Sequence, residues 1–139
     1  MAISGPIWCK EGLRVLADAI VTTEATPESL EIFLFSNDAT IDAATVDGDL
    51  TEITTNGGEK VPLVKASWAA ATDADPVVSR YNPSAGVVWT ITGPLTLYGW
   101  AIRGATSGKI YAAENWGVNT VDNGATVTIQ PCDLKFDIV

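Results

Sequence analysis

The sequence contains no histidine, and it has only two cysteines, Cys9 and Cys132, among its 139 residues. Without histidine, Ser-His-Asp and Cys-His nucleophilic catalysis and the common histidine-containing zinc sites are excluded. Two cysteines near opposite ends of the chain also cannot supply the ligands of a thiolate metal cluster. The scarcity of these residues therefore removes several large classes of enzymes and metal sites.

Basic residues are scarce as well, with eight lysines and arginines against 17 acidic residues and a net charge of −9. This charge repels phosphate backbones and anionic membrane surfaces, so we expect neither nucleic acid nor membrane as a partner. No stretch has the length of an apolar membrane-spanning helix, and residues 1–6 lack the basic and apolar regions of a secretion signal. Without a secretory context, two free buried thiols are favoured over a Cys9–Cys132 disulfide, which stays open because chain ends often lie close together.

The fragments that resemble functional motifs have simpler interpretations. The segment 104–110, GATSGKI, resembles a phosphate-binding loop, but it is one residue short and Ile110 replaces the required Ser or Thr. It also leads into a strand pattern and is predicted to be a hairpin turn. Two acidic groups lack calcium-loop spacing and are interpreted as solvated loop carboxylates; they are Asp42, Asp47, Asp49 and Glu52, and Asp73 and Asp75. We therefore predict that the chain is not an enzyme and carries no metal or cofactor.

Length and periodicity predict one domain built mainly from strands. Residues 1–139 match a single β-rich domain, with an N-terminal arm and helix over residues 1–24 and a long polar loop over residues 39–60. The only helical pattern covers 7–21, where Leu13, Leu16, Ala17 and Ile20 form one apolar stripe. We expect an all-β dominated fold, a β-sandwich or open antiparallel barrel of six or seven strands, with one short N-terminal α-helix.

Several segments alternate with the period of two that is typical of strands. Residues 30–35 are apolar on both sides, which predicts a buried central strand. Residues 95–103 and 109–116 are predicted to form an antiparallel pair, with Leu97, Gly99 and Ala101 on one face and Tyr98, Trp100 and Ile102 on the other. The apolar phase flips across Pro131 and Cys132, so residues 125–139 form either two strands or one strand bent by a bulge. Further strand patterns cover 61–70 and 87–92, with a short strand near 50–53 and a turn at 72–76.

Four segments give the chain a resemblance to a known family. They are LEIFLFSND at 30–38, DLTE at 49–52, LYGWAI at 97–102 and IYAAENW at 110–116. Their order resembles small structural proteins of tailed-bacteriophage virions, whose chains read LxLFxND, DLTE and YG(Y/W)…(W/A)AE. The likeness spans roughly residues 13–138. It departs from the family after DLTE, where residues 56–58 (Asn-Gly-Gly) replace an aromatic Gly-Tyr stretch.

The resemblance implies a non-enzymatic virion protein, assembled in the host cytoplasm. The expected role is a capsid decoration or cement protein that binds the outer surface of the major capsid protein lattice, as a homo-oligomer with a trimer favoured. A charge of −9 suits a protein that must stay soluble before it assembles. We hypothesise that the interface with the capsid or a sister subunit is formed by Trp8, Leu13, Leu16 and Ile20.

Two alternatives remain open at this point. One is a tail- or fibre-associated virion protein, and the other is a carbohydrate-binding receptor tip that stacks sugars on Trp89, Trp100 or Trp116. The strand periodicity places Trp89 and Trp116 on the same side as core residues, which favours packing over display.

Overall fold

The computed structural model describes residues 7–12, 28–63, 77–81, 86–129 and 132–136. Helical turns within these ranges are limited to residues 10–12 and the 3-10 turn Asp47–Asp49. The predicted all-β dominated fold is therefore confirmed. The strands are β1 (Ile7–Trp8), β2 (Leu30–Phe35), β3 (Val61–Leu63), β4 (Val77–Tyr81), β5 (Val87–Thr90), β6 (Leu95–Gly104), β7 (Ile110–Val121), β8 (Thr126–Ile129) and β9 (Cys132–Phe136).

The largest sheet has five antiparallel strands in the order β1-β7-β6-β2-β3. Strand β2 lies between β6 and β3, in agreement with the central position that its two apolar faces predicted. Its side chains alternate as expected, since Ile32 and Leu34 join one core and Phe33 and Phe35 join another. Two smaller antiparallel pairs, β4 with β9 and β5 with β8, complete the described strands.

One face of the large sheet is closed by apolar packing, and we call it the apolar face. The β5–β8 pair contributes Val87, Trp89 and Ile129 to the same core cluster as Ile32 and Leu34. Trp89 is only 2% exposed. A separate strand pair thus supplies the layer that covers this face of the sheet.

The opposite face is covered by the polar segment 36–60, and we call it the loop-covered face. Ala39, Ile41 and Leu50 from this segment pack on Phe33 and Phe35 of β2. The predicted short strand near residues 50–53 is reduced to a single antiparallel bridge between Phe35 and Glu52. The long loop is therefore the second covering layer of the sheet.

The predicted β6–β7 pair is present, but the predicted side-chain phase in β6 is wrong at its first half. Leu97 shares the apolar-face core with Trp100, whereas Tyr98 packs on the loop-covered face. The cause is a bulge, because Leu97 pairs with Asn119 and the next pair is Gly99 with Asn115. Strand β7 thus advances four residues while β6 advances two, and the change of phase in β6 falls at this irregularity.

Residues 7–8, which were predicted to begin the helix, form β1 at the edge of the large sheet. Ile7 pairs with Ala113 and Trp8 with Ala112, so the sheet edge satisfies their backbone groups. Helical geometry begins only at residue 10. The remainder of the predicted helix, including Leu13, Leu16, Ala17 and Ile20, lies outside the described residues.

At the other end of the chain, β8 and β9 are two separate strands with different partners, β5 and β4 respectively. This resolves the two possibilities raised by the change of phase near Pro131. The strand pattern predicted over 61–70 is described only as β3, and the turn predicted at 72–76 lies outside the described ranges.

Candidate functional site

A group of charges centred on the buried Glu31 and Arg103 lies on the loop-covered face. We call Glu31, Asp47, Glu52, Lys60 and Arg103 the Arg103 cluster. Glu31 and Arg103 face each other across β2 and β6. The Nε of Arg103 donates to Glu31 at 2.7 Å, and its two terminal nitrogens donate to Asp47 at 2.9 Å and Glu52 at 2.6 Å. Lys60 also contacts Glu31, at 3.2 Å. One guanidinium therefore connects two central strands to the long loop.

The surroundings of Arg103 keep it charged. Burial acts to lower the pKa of its guanidinium, but the three carboxylates raise the pKa above its ordinary value. The guanidinium carbon also lies 4.4 Å from the centre of the Phe33 ring, a cation–π distance. Because each guanidinium nitrogen already contacts a carboxylate, the cluster is suited to holding the loop on the sheet and not to binding a substrate anion.

The segments LEIFLFSND and DLTE meet beside this cluster. The Asn37 side chain donates to the Asp49 carbonyl and accepts from the Thr51 amide, both at 2.8 Å. The Ser36 amide donates to the Thr51 carbonyl at 2.9 Å. The polar residues of both motifs thus fix the backbone of the loop against the end of β2, which is a structural role.

The other two segments of the resemblance join the same unit. The Asn115 side chain donates to Asp38 at 3.0 Å and to the carbonyl of Ala39 at 2.7 Å. A Cβ at Gly99 would collide with the carbonyl oxygen of Glu114 and lie 2.7 Å from the Phe35 ring, so glycine is required by the close packing there. The four segments therefore build one corner of the fold.

The segment that resembles a phosphate-binding loop is the turn between β6 and β7, as predicted. Its backbone amides at Thr106 and Ser107 donate to the Glu28 carboxylate at 3.1 and 2.8 Å, and the Tyr111 hydroxyl donates at 3.2 Å. Partial burial acts to raise the pKa of Glu28, but the hydrogen bond from the Ser107 hydroxyl, at 2.6 Å, and these bonds together hold it below its ordinary value. The anion at this turn is thus supplied by the protein itself.

The pKa of Tyr111, in contrast to that of Glu28, is raised. Burial and the neighbouring Glu28 carboxylate raise it to about 12. The phenol therefore stays protonated as a hydrogen-bond donor at neutral pH.

The acidic residues of the loop serve several purposes. The Asp42 carboxylate accepts from the Ala44 amide at 2.7 Å, and the Asp49 carboxylate accepts from the Val46 amide at 3.0 Å. Among the described acids, Asp42 and Asp49 are exposed as expected, whereas Asp47 and Glu52 also pair with Arg103. Asp73 and Asp75 lie outside the described residues. Within the described ranges, no group of three or more His, Cys, Asp and Glu side chains is arranged to hold a metal ion.

Cys9 is a buried free thiol, and its Sγ lies 3.8 Å from the carbonyl oxygens of both Ile7 and Asp42. Burial, with Glu11 and Asp42 nearby, raises its pKa to about 11. The thiol is therefore a poor nucleophile at neutral pH. Cys132 lies in β9, opposite Tyr81.

Two of the tryptophans considered for sugar stacking are core residues. Trp89 is 2% exposed and its indole donates to the Glu59 carbonyl at 2.8 Å. Trp100 is 4% exposed and donates to the Glu114 carboxylate at 3.0 Å. The core position expected for Trp89 is correct, whereas that expected for Trp116 is wrong, because Trp116 is 39% exposed.

Trp116 stands on the β7 bulge, and we call residues 115–119 the Trp116 tip. The Gly117 amide donates to the Asn115 side chain at 2.7 Å, and the Asn119 side chain donates to the Gly117 carbonyl at 3.1 Å. Gly117 has a φ of +83°, a value that side chains disfavour. The two asparagines and the glycine stabilise the bulge, while Trp116 and Val118 remain exposed. The sequence signal for this feature is the Asn-Trp-Gly-Val-Asn pattern, which interrupts the strand alternation.

Trp8 is the one residue of the hypothesised interface that lies in a described range. It is half-buried in β1 and packs against the apolar-face core. Leu13, Leu16 and Ile20 lie outside the described residues, so the hypothesised interface stays a prediction.

Comparison of the chain with protein-family models, with curated proteins and with solved structures found no match. None of the helical segments that the structure describes is long and apolar enough to cross a membrane.

Proposed function

We propose that the chain is a non-enzymatic virion protein of a tailed bacteriophage, a capsid decoration protein that binds the outer surface of the major capsid protein lattice. The observation that carries the proposal is the ordered set of segments at 30–38, 49–52, 97–102 and 110–116, whose residues converge on one corner of the fold. Because these residues hold the long loop on the sheet, the resemblance concerns residues that specify a fold.

The physical properties of the chain suit this role. A decoration protein must remain soluble at high concentration and then occupy many equivalent positions, commonly as a symmetric oligomer. The charge of −9 favours solubility, and the Arg103 cluster and the asparagine contacts provide a firmly held loop layer. The proposed assembly is a homo-oligomer, with a trimer favoured, that binds virion protein in the assembled particle.

Cosedimentation tests the proposal directly. The purified chain is mixed with empty capsids of the phage that encodes it and, separately, with its purified tails. We expect the chain to pellet saturably with capsids and not with tails. Pelleting only with tails would replace the capsid location with the tail- or fibre-associated alternative, and a chain that pellets with neither would overturn the virion proposal.

The proposed interface of Trp8, Leu13, Leu16 and Ile20 needs a test that leaves β1 in place, because Trp8 is part of the sheet. Changing Leu13, Leu16 and Ile20 together to serine should abolish capsid binding if this surface carries it. Val88→Ser, at a residue that is 43% exposed on β5, is the matched control and should bind as the unmodified chain does. Unchanged binding by the triple variant would remove these residues from the interface.

A carbohydrate-binding tip is the second candidate, and the exposure of Trp116 favours it. It predicts that the chain binds members of a glycan array and that Trp116→Ala abolishes this binding. The decoration proposal predicts that the array shows no binding.

A further inference from the structure

The turn between β6 and β7 has the shape of an anion site. The amides of Thr106 and Ser107 donate to one oxygen of the Glu28 carboxylate, at 3.1 and 2.8 Å. The hydroxyls of Ser107 and Tyr111 donate to the other oxygen, at 2.6 and 3.2 Å. Successive amides of a turn that converge on one anion form the concave nest found in phosphate-binding loops. We call these four donors, from Thr106, Ser107 and Tyr111, the anion nest.

Contacts that do not involve Glu28 hold the anion nest in shape. The Gly108 amide donates to the Gly104 carbonyl at 2.9 Å and closes the turn. The Lys109 amide donates to the Ser107 hydroxyl oxygen at 3.1 Å, so the proton of this hydroxyl is available to an anion. Tyr111 is only 3% exposed, and its ring is therefore fixed by packing. Because the donors are positioned in advance, an anion that binds them pays little for ordering the site.

Glycine at position 104 makes room for the anion. A Cβ on Gly104 would overlap the carboxylate of Glu28. Gly104 is not among the glycines with a positive φ, whereas Gly108 in the same turn has a φ of +69°. What position 104 requires is therefore the absence of a side chain and not an unusual backbone conformation. The cradle thus occupies the space that any other residue at position 104 would fill.

Glu28 is a tethered occupant that a free anion can displace. Its side chain is partly exposed, and residues 105–107 of the turn are exposed. The four donors are amides and hydroxyls, so no cation of the nest holds the carboxylate in place. A tethered ligand competes with free ligands at an effective concentration on the order of millimolar. A phosphate carries more charge and more acceptor oxygens than a carboxylate, which favours it in this competition.

We propose that the anion nest is a binding site for inorganic phosphate, and that Glu28 closes this site as its tethered occupant. The inference goes beyond the proposed virion role and does not depend on it. The net charge of −9 repels free anions, so the unmodified chain binds phosphate weakly.

The test is a titration of the isotope-labelled full chain with inorganic phosphate at constant ionic strength, in which NMR follows the amides of Thr106 and Ser107. Glu28→Ala should give saturable shifts of both signals. Its dissociation constant should be at least about tenfold lower than that of the unmodified chain, because the apparent constant rises as the fraction of open sites falls. Glu59→Ala removes the same charge at an exposed residue and should titrate as the unmodified chain does.

Two further measurements separate the nest from general attraction of anions. Adding Gly104→Ala to Glu28→Ala places a methyl group where the carboxylate lay, and this change should abolish the phosphate-dependent shifts. Acetate at the same ionic strength should bind Glu28→Ala more weakly than phosphate does. The dispersion of the amide spectrum reports whether each variant is folded. Glu28→Gln, which keeps the size of the side chain, takes the place of Glu28→Ala if the latter unfolds.

Four results would overturn the inference. The first is the absence of saturable shifts at Thr106 and Ser107 when Glu28 is replaced, and the second is an equal dissociation constant in the unmodified chain. The third is phosphate binding that persists when Gly104→Ala is added. Acetate that binds as tightly as phosphate would be the fourth, because the nest would then not prefer phosphate.

Discussion

The two faces of the five-stranded sheet share apolar packing but differ in their polar contacts. On the apolar face, Trp89 and Ile129 of the β5–β8 pair pack on β2 and β6, so the contact is mostly hydrophobic burial. On the loop-covered face, apolar loop residues also pack on β2, and the Arg103 cluster and the Asn37 side chain add directional polar bonds that hold the irregular segment in place. Hydrophobic contact tolerates changes of shape, whereas a buried charge group depends on every partner.

This difference predicts where the protein is most sensitive to single substitutions. A polar contact is lost at high cost when a buried member is removed, because its buried partners are left unpaired. An apolar closure loses free energy in proportion to the volume that is removed.

The largest effect is expected for Arg103→Ala. The change leaves the carboxylate of Glu31, whose side chain is only 10% exposed, with Lys60 as its remaining cationic partner in the cluster. Removing one partner of a buried ion pair costs about 3 to 5 kcal/mol of the free energy of unfolding. Denaturant unfolding at neutral pH measures the loss.

Lys60→Ala is the matched control, because it removes the cation whose side chain is 50% exposed from the same Glu31. A half-exposed ion pair is worth about 0 to 1 kcal/mol, so this variant should unfold close to the unmodified chain. Equal losses for both variants would show that burial of Arg103 does not decide the strength of the loop-covered face.

On the apolar face, Leu34→Ala should lower the free energy of unfolding by about 2 to 5 kcal/mol, because Leu34 is fully buried in that core. The loss should be nearly independent of salt concentration, since no charge is involved. Unfolding at low and high salt tests this. A strong salt dependence for Leu34→Ala would contradict closure of this face by apolar packing.

The regular parts of the fold were predictable from the sequence. The two apolar faces of β2 and the β6–β7 pair follow from a period of two, which depends only on neighbouring residues. The all-β class follows from the number of such segments. These features are local, and local pattern is what a single sequence shows.

The polar closure was not predictable in the same way. Arg103 and Glu31 are 72 residues apart, and nothing in the pattern of acids indicates which of them reach this arginine. The bulge that exposes Trp116 was also missed, because the alternation rule assumes an unbroken register. Strand β1 has only two residues, which is too short for any periodicity.

A smaller effect is expected for Asn37→Ala, which removes both amide contacts to the backbone of DLTE. Two hydrogen bonds of this kind contribute about 1 to 3 kcal/mol together, less where the site is partly exposed. Hydrogen exchange of the Thr51 amide should accelerate in the variant. Ser36→Ala is the control, since its hydroxyl lies 3.4 Å from the Thr51 carbonyl and contributes little. Unchanged exchange at Thr51 in Asn37→Ala would show that the Asn37 side chain is not needed to hold this part of the loop.

The smallest effect is expected for Glu28, whose carboxylate holds the β6–β7 turn by hydrogen bonds. Its pKa in the folded state lies below the ordinary value of 4.5 because the turn donates hydrogen bonds to the ionised carboxylate. The charged form therefore stabilises the fold at pH values above about 4.5, and this contribution is lost as the pH falls through the lower folded-state pKa. Glu28→Gln should lower the free energy of unfolding at pH 7 by up to about 1 kcal/mol, and the difference should shrink towards pH 3. Glu59→Gln makes the same change of charge at an exposed residue and should leave the pH profile nearly unchanged. A difference for Glu28→Gln that stays constant down to pH 3 would mean that the turn is held by side-chain packing and not by the bound carboxylate.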